Sequence, residues 1–283
     1  MMDGTKVEWA DATWNPITGC SVVSAGCTNC YAMRLAGSRL RHHPTREGLT
    51  TPTKAGPVWT GAVRLTEAVI DQPLRWRRPR RIFVCAHGDL FHEAVPDKWI
   101  DSVFACMAMT PQHVFLVLTK RQERMRMFCG DRPVLPNAWL GVSVEDQRTA
   151  DERIPILLTT SAARRWISAE PLLGPVDLRH LQPGDPPTEI DALAGTHGVL
   201  RPHRGRSHRL DWVVVGGESG PRARGCDVQW IRDIVRTCAV TETPCFVKHL
   251  GSNSDYRATK KGADPAQWPA DLRVRQWPGW GMR

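Results

Sequence analysis

The sequence lacks a long apolar run. No stretch of about 18 consecutive apolar residues occurs among its 283 residues, so we expect no membrane-spanning helix. The first residues, MMDGTKVEWADATW, also lack the basic-then-apolar order of a secretory signal. These two absences predict a cytoplasmic protein that makes no contact with a membrane.

Tyrosine is scarce and acidic residues are too few to balance the basic ones. The chain has two tyrosines against 12 tryptophans, and 38 Lys and Arg against 29 Asp and Glu, a net charge of +9. This balance favours association with nucleic acid or another polyanion, although many basic proteins bind neither. The tryptophans mostly lie in or beside apolar runs, so we expect them to pack in the core or its walls.

A fourth cysteine is missing from the densest cysteine cluster. Cys20, Cys27 and Cys30 are spaced Cys-x6-Cys-x2-Cys, and the next cysteine is Cys85. Three close thiols without a fourth indicate a metal centre with an open coordination position. The candidates are a [4Fe–4S] cluster with one free iron and a zinc ion completed by a distant ligand; metal-free thiols in a loop are the third possibility. The odd total of nine cysteines favours reduced thiols over disulfides.

From residue 80 onwards, six short and nearly continuous apolar runs alternate with amphipathic segments. Such runs are typical of strands buried on both faces of a parallel sheet. Residues 13–14 and 63–65 predict two further strands, which brings the total to eight. The count favours an α/β fold of the (β/α)8 TIM-barrel type, complete or slightly opened, over a doubly wound open sheet. The runs are 82–85, 113–118, 138–142, 165–168, 210–215 and 244–247, and the helices are expected over 97–109, 121–129, 146–158 and 228–239.

We expect one barrel domain over residues 1–251 and a C-terminal tail, 252–283, packed on it. Residues 179–209 interrupt the alternation and are rich in Pro, Gly and His, which predicts a long loop insertion. The basic end of this loop, 201–209, suits either a lid or a nucleic-acid contact. A second basic cluster surrounds Trp76 within residues 75–81 and suits either phosphate contact or a merely solvated surface.

Polar residues follow each of the six strands. In a parallel barrel the carboxyl ends of the strands meet at one rim, where active sites lie. The cysteine loop follows the first strand and should open onto the same rim. Cys30 precedes a helical segment, whose dipole is expected to lower the pKa of its thiol. The candidate rim residues are Asp89, Lys120, Ser143, Glu145, Glu170, Glu218, Ser219, Lys248 and His249.

The chain resembles a phage- and prophage-associated family of unknown function that carries a three-cysteine motif. The resemblance rests on the cysteine run with the following Tyr-Ala and on GDLFHEAVP, LTKR, NAWLGVSVEDQ, SAEPLLGPVDL and DWVVVGGESGPRAR, and it covers nearly everything outside 182–209. That family is regarded as similar to radical S-adenosylmethionine (SAM) enzymes, whose usual spacing is Cys-x3-Cys-x2-Cys. Here the first gap has six residues. The Gly216-Gly217-Glu218 run follows the seventh expected strand rather than the second, so it is not assigned as the SAM-binding motif of those enzymes.

The resemblance implies a radical-SAM-like barrel and an enzyme that uses a [4Fe–4S] cluster on Cys20, Cys27 and Cys30. SAM would bind the free iron, and an external donor would supply the electron. The expected substrate is a nucleic acid or nucleotide, such as a nucleobase in phage DNA. The candidate SAM-binding residues are Asp89, Lys120, Ser143, Glu145 and Glu170; Glu218 and Lys248 are the candidate catalytic residues, and they and Ser219 could bind substrate.

Two other classes of function stay open. The trio could hold zinc with His87 or His92 in a non-catalytic nucleic-acid-binding protein built on a barrel scaffold. A hydrolase could use Glu145 and Glu170 as a carboxylate pair, but this hypothesis leaves the cysteines unexplained.

Overall fold

A computed structural model describes residues 5, 7–184, 189–197, 201–202, 208–254 and 262–279. Its main sheet has seven strands that follow one another in chain order. The first strand pairs parallel with the second, the second with the third, the fifth with the sixth, and the sixth with the seventh. The strands are β1 (Ala12–Trp14), β2 (Arg81–Val84), β3 (Val114–Thr119), β4 (Ala138–Val144), β5 (Arg164–Ala169), β6 (Trp212–Gly216) and β7 (Cys245–His249).

The strand order separates the two expected sheet types. A doubly wound sheet reverses its order at a switch point, whereas the described sheet runs from β1 to β7 without a reversal. Sequential parallel order is that of a (β/α) barrel, and here the first and last strands are not neighbours. The expected barrel class is therefore confirmed, in its opened form.

The eighth expected strand does not join this sheet. Arg64–Leu65 pairs antiparallel with Ile17–Thr18 in a separate two-stranded sheet. The stretch before it contains a hairpin of Thr50–Thr53 and Gly56–Trp59. The count of eight was therefore one too many, because a short strand pattern gives no information about its pairing partner.

In the described part of the chain, five α-helices lie between the strands, and four of them confirm the expected helices to within one or two residues. Each has an apolar face: α5, for example, buries Val228, Ile231, Ile234 and Cys238 at helical spacing. Residues 66–76 contain two short 3-10 helices, Glu67–Val69 and Gln72–Arg75. The α-helices are α1 (Tyr31–Ala36), α2 (Asp97–Ala108), α3 (Gln122–Gly130), α4 (Gln147–Thr159) and α5 (Val228–Val240).

The core is built from the strands and from tryptophan. Trp14, Trp166 and Trp212 have no exposed surface, and every residue of β4 is buried. This burial confirms that the apolar strands are covered on both faces and that several tryptophans belong to the core.

The chain divides into two compact units. The first comprises residues 1–140 and 161–163, and the second comprises residues 141–160 and 164–283. Within the second unit, the tail runs beside β7: Val247 N donates to Val274 O at 2.8 Å, and Gln276 N donates to Cys245 O at 2.9 Å. The division of the chain into a 1–251 barrel domain and a packed tail stays a prediction.

The expected long loop over residues 179–209 contains regular structure. Ile190–Asp191, Thr196–His197 and Arg201–Pro202 form a three-stranded antiparallel sheet, and Leu181 bridges to Ile190. The described part of this segment therefore contains short strands, with Leu181 and Ile190 buried, and the loop insertion at about 179–209 stays a prediction. Most of the basic end, including residues 203–207, lies outside the described residues. Its role as a lid or as a nucleic-acid contact therefore stays a prediction.

No helix within the described ranges combines the length and the apolar character that a bilayer span requires.

Candidate functional site

The cysteine loop connects β1 to α1 and is tied to the carboxyl end of β2. Cys85 N donates to Trp14 O at 2.7 Å, and Gly19 N donates to His87 O at 3.2 Å. Gly19 has a φ of +95°, and a Cβ at this position would lie 2.2 Å from Ala62 O. Only glycine fits there, so the turn that presents Cys20 depends on Gly19.

All three cysteines of the loop are free thiols that lie near one another. Cys27 is buried in a short 3-10 helix, while Cys20 and Cys30 are partly exposed. The last two pack against an apolar cluster that includes Met33, Leu49 and Trp59. Cys20 is close enough to both other cysteines for their charges to affect its pKa. The loop therefore collects three soft ligands at the carboxyl end of β1.

Burial dominates the acidity of these thiols. It raises the pKa of Cys20 to about 12; nearby Asp89 acts in the same direction and Arg121 opposes it. Burial also raises the pKa of Cys30, although the backbone N–H groups of Met33 and Ala32 favour its thiolate. The expected lowering of the Cys30 pKa is wrong, because six residues of helix do not outweigh desolvation. Binding of a metal would therefore have to displace protons.

Arg121, which the sequence placed at the end of β3 without a specific role, is a buried cation beside Cys20. Its Nη1 donates to Cys20 Sγ at 3.6 Å, and its Nη2 donates to Ser21 Oγ at 2.6 Å. Its other contacts are acidic: Nη1 lies 3.0 Å from Asp89 Oδ2, and Nε lies 3.0 Å from both oxygens of Glu93. The available signal was the Lys-Arg pair at the end of β3, of which only Lys120 received a role.

The Asp89 carboxylate is occupied by protein donors. Oδ1 accepts hydrogen bonds from Phe91 N at 3.0 Å and from Thr119 Oγ1 at 2.7 Å. Oδ2 accepts from Arg121 and, at 3.3 Å, from Lys120 N. Asp89 therefore fixes the turn after β3 and holds Arg121, and its role as a SAM ligand stays a prediction.

The two histidines suggested as zinc ligands have protein partners. His92 Nε2 lies 3.0 Å from Ser21 Oγ, and Ala94 N donates to His92 Nδ1 at 3.1 Å. His87 Nδ1 lies 2.8 Å from the guanidinium of Arg46, and burial, together with Arg46, lowers the pKa of His87 to about 4. Among the residues that the structure describes, no three His, Cys, Asp or Glu side chains are gathered closely enough to surround one metal ion.

The second unit holds an ion-pair cluster on Glu170, directly after β5. Lys248 Nζ and His249 Nε2 lie 2.5 Å and 3.1 Å from Glu170 Oε1. Ser143 Oγ donates to Glu170 O at 3.4 Å. Burial would raise the Glu170 pKa, but Lys248 and His249 outweigh it and lower the pKa to about 2. Four candidate rim residues, Ser143, Glu170, Lys248 and His249, are thus brought together.

The other two predicted carboxylates have arginine partners that the sequence analysis did not identify. Glu145 lies 3.3 Å from Arg153 Nη1, and both side chains are almost fully buried. Glu218 accepts from Arg224 N at 2.8 Å and from Arg224 Nη2 at 2.6 Å, an arrangement that closes the loop after β6. The contacts place Glu218 with Arg224 and Lys248 with Glu170, so they give no direct pairing of the two expected catalytic residues.

The basic cluster around Trp76 precedes β2, whereas the cysteine loop follows β1. Because these strands are parallel, the basic cluster lies at their amino ends and the cysteine loop lies at their carboxyl ends. Arg80 lies over the Trp76 ring at 4.9 Å, and Arg77 and Arg78 are exposed. This cluster is therefore separate from the carboxyl edge of the strands.

Comparisons with known proteins identify a family. A family model described as "Protein of unknown function (DUF5131)" matches residues 4–273, and the chain belongs to this family. The comparison with curated proteins gives no match. Among solved structures, a mutant of spore photoproduct lyase is similar with a TM-score of 0.38 and 12% identity, over 60% of this chain and 48% of that one. The chain thus spans about half the length of that protein.

Proposed function

We propose that this member of the DUF5131 family is a radical SAM-type enzyme in which Cys20, Cys27 and Cys30 hold a [4Fe–4S] cluster. One observation carries the proposal: three free thiols share one short loop at the carboxyl end of β1 in an opened barrel-type sheet. Active sites of parallel barrels lie at that edge. Three thiolates leave one iron of such a cluster open for a cosubstrate.

The donor set fits this cluster better than it fits zinc. Thiolates are the ligands of iron–sulfur clusters, and each thiolate binds a different iron, so the thiols need not surround one point. A single zinc ion would need a fourth ligand, and both ring nitrogens of His92 are already hydrogen bonded. Cys20 and Cys30 are partly exposed and therefore reachable by an incoming cluster.

A cluster held by Cys20, Cys27 and Cys30 would supply the one-electron chemistry that cleaves SAM and allows hydrogen abstraction from a substrate. An external donor delivers the electron. The chain itself orients these groups. Lys120, whose charge favours the thiolate of Cys30 against the effect of burial, offers an ammonium to the SAM carboxylate. Arg121 and Asp89 hold the loop and the end of β3 in place.

In the second unit we assign SAM or substrate contacts to residues at the carboxyl ends of β4, β5, β6 and β7 or directly after them. Lys248 is partly exposed and paired with Glu170, so its ammonium can orient a polar group while Glu170 stays ionised. Ser143 and Glu145 extend the SAM-binding set, with Glu145 held by Arg153. Glu218, held by Arg224, is the proposed substrate contact after β6.

The proposed substrate is a nucleic acid or nucleotide, such as a nucleobase in phage DNA. The net charge of +9 supports this class. Binding of DNA should weaken steeply as the salt concentration rises, because protein cations displace counterions from phosphates. A DNA affinity that is the same in low and high salt would count against this substrate.

The decisive experiment is anaerobic reconstitution followed by chemical and spectroscopic analysis. We expect about four iron and four sulfide per chain, a broad absorption near roughly 400 nm, and formation of 5′-deoxyadenosine from SAM with dithionite. The triple variant Cys20→Ala, Cys27→Ala, Cys30→Ala should lose all three signals. The control is Cys106→Ala, which changes a buried cysteine of α2 and should keep all three signals. A colourless protein that binds one zinc ion tightly would refute the proposal.

A further inference from the structure

We propose that Arg121 is a positioning residue for the cysteine loop, and that its charge beside Cys20 raises the reduction potential of the bound cluster. The second half of this statement rests on the proposed function. The positioning role concerns the protein before any metal binds.

Arg121 connects three segments of the first unit at once. It follows β3, and its side chain is only 5% exposed. Toward the cysteine loop it donates to Cys20 Sγ at 3.6 Å and to Ser21 Oγ at 2.6 Å. Toward the segment after β2 it donates to Asp89 and Glu93, each at 3.0 Å. The planar guanidinium can satisfy all these acceptors together, which a lysine ammonium cannot.

A second side chain, His92, contacts the same part of the loop as Arg121. Ser21 Oγ also lies 3.0 Å from His92 Nε2, so Arg121 and His92 hold the same hydroxyl. Gly19 is fixed through its backbone to His87. Without Arg121, Cys20 and Ser21 would lose their link to the end of β3. We therefore expect the segment 19–30 to open more often.

The charge of Arg121 is permanent where it lies. An arginine guanidinium stays protonated in proteins, and Arg121 also forms ion pairs with Asp89 and Glu93 at 3.0 Å. Reduction adds a negative charge to a cluster, and a hydrogen-bonded cation at a ligand sulfur stabilises the reduced form. Removing Arg121 also leaves the buried Asp89 carboxylate without its cation. Both effects favour the oxidised form and move the potential to more negative values.

Four variants separate position from charge. Arg121→Gln removes the charge and most contacts, and Arg121→Lys keeps the charge but not the planar fork. Ser21→Ala removes one contact without leaving a buried charge unpaired. The matched control is Arg124→Gln in α3, because Arg124 pairs with Asp97 at 2.7 Å, and Asp97 lies outside the cysteine loop.

The first measurement is hydrogen–deuterium exchange of residues 19–30 in the full-length, metal-free protein. We expect exchange there to rise about tenfold in Arg121→Gln and to rise in Arg121→Lys and Ser21→Ala, with the control at the wild-type rate. If Arg121→Gln does not fold, Ser21→Ala decides: wild-type exchange in that variant would overturn the positioning role. This readout needs no cluster, so it stands even if the proposed function fails.

The second measurement is a redox titration of the reconstituted proteins followed by electron paramagnetic resonance. At a fixed poise we expect the reduced-to-oxidised ratio of Arg121→Gln to fall at least tenfold, which is about 59 mV for a one-electron couple. Arg121→Lys should stay within about threefold of the wild type. An unchanged potential in Arg121→Gln would overturn the charge role. A wild-type protein that binds no cluster would instead refute the proposed function and, with it, the charge role.

Discussion

Lys248 and Glu170 form an ion pair at the carboxyl ends of two strands, with Nζ 2.5 Å from Oε1. His249 Nε2 shares the same oxygen at 3.1 Å. Although burial would raise the pKa of the Glu170 carboxyl, these two neighbours lower it to about 2. Glu170 therefore carries a negative charge at neutral pH and is unsuited to act as a general acid there. The hydrolase hypothesis with Glu145 and Glu170 as an acid–base pair loses support from this charge.

This ion pair predicts a pH-dependent contribution to stability. The folded pKa of Glu170 lies below its ordinary value of 4.5, so the contribution is complete above about pH 4.5 and is lost as the pH falls toward 2. The drop in pKa corresponds to about 3 kcal/mol. We expect Glu170→Gln to lower the free energy of unfolding by about that amount at pH 7 and by much less near pH 3. Chemical denaturation at both pH values measures the difference.

The control for this prediction is Glu152→Gln. Glu152 lies on α4 in an exposed pair with Arg148 at 3.6 Å, so its loss should change the stability by less than about 1 kcal/mol. A Glu170→Gln variant that loses equal stability at both pH values would contradict the assigned pKa.

Gly19→Ala should disrupt the cysteine loop. An alanine Cβ would lie 2.2 Å from the backbone oxygen of Ala62, at a φ of +95° that alanine rarely adopts. We expect a loss of at least about 2 kcal/mol in the free energy of unfolding, together with reduced iron loading. Gly130→Ala is the matched control, because a Cβ there meets nothing within 4 Å. Equal stability of the two variants would show that the loop tolerates a different turn.

Glu218 and Arg224 should behave as one unit in stability. Three hydrogen bonds join them, and the side chain of Glu218 is buried. In a double-mutant cycle of Glu218→Gln and Arg224→Gln we expect a coupling of about 1–2 kcal/mol in the free energy of unfolding. Additive effects would mean that the contact does not organise the loop, and would leave Glu218 available as an independent catalytic group.

The basic cluster at the opposite edge of the first unit predicts a separate contact with the phosphate backbone. Arg77→Gln and Arg78→Gln should each reduce the slope of log affinity against log salt by about one for double-stranded DNA. Arg148→Gln, an exposed arginine on α4, is the control and should leave the slope unchanged. Unchanged slopes in all three variants would identify the cluster as a merely solvated surface.

Much of the fold could be read from local pattern. The six apolar runs became β2 to β7, and the four amphipathic segments became α2 to α5, because burial of an apolar face selects the period of each element. Pairing could not be read in the same way. Arg64–Leu65 joined Ile17–Thr18, and the segment after Leu181 formed its own small sheet, because short strands bind whichever edge the folded chain brings near.

The sequence predicted the candidate metal ligands of the site, but it did not predict which side chains form ion pairs around them. Cys20, Cys27 and Cys30 stand together in the chain, so their proximity required no tertiary information. The sequence did not predict the acidic partners of Arg121, Arg153 and Arg224. Each of these pairs forms through space, and the sequence does not show whether an arginine will be buried.

The sequence by itself determined the α/β class, the order of the main strands, and a trio of thiols on one loop. These features follow from local apolar periodicity and from covalent spacing. Only the tertiary structure decided that desolvation raises the pKa values of Cys20 and Cys30, that Arg121 lies against Cys20, and that Glu170 is ionised. Desolvation and ion pairing depend on which groups packing brings within a few ångströms, and that distance is a property of the folded chain.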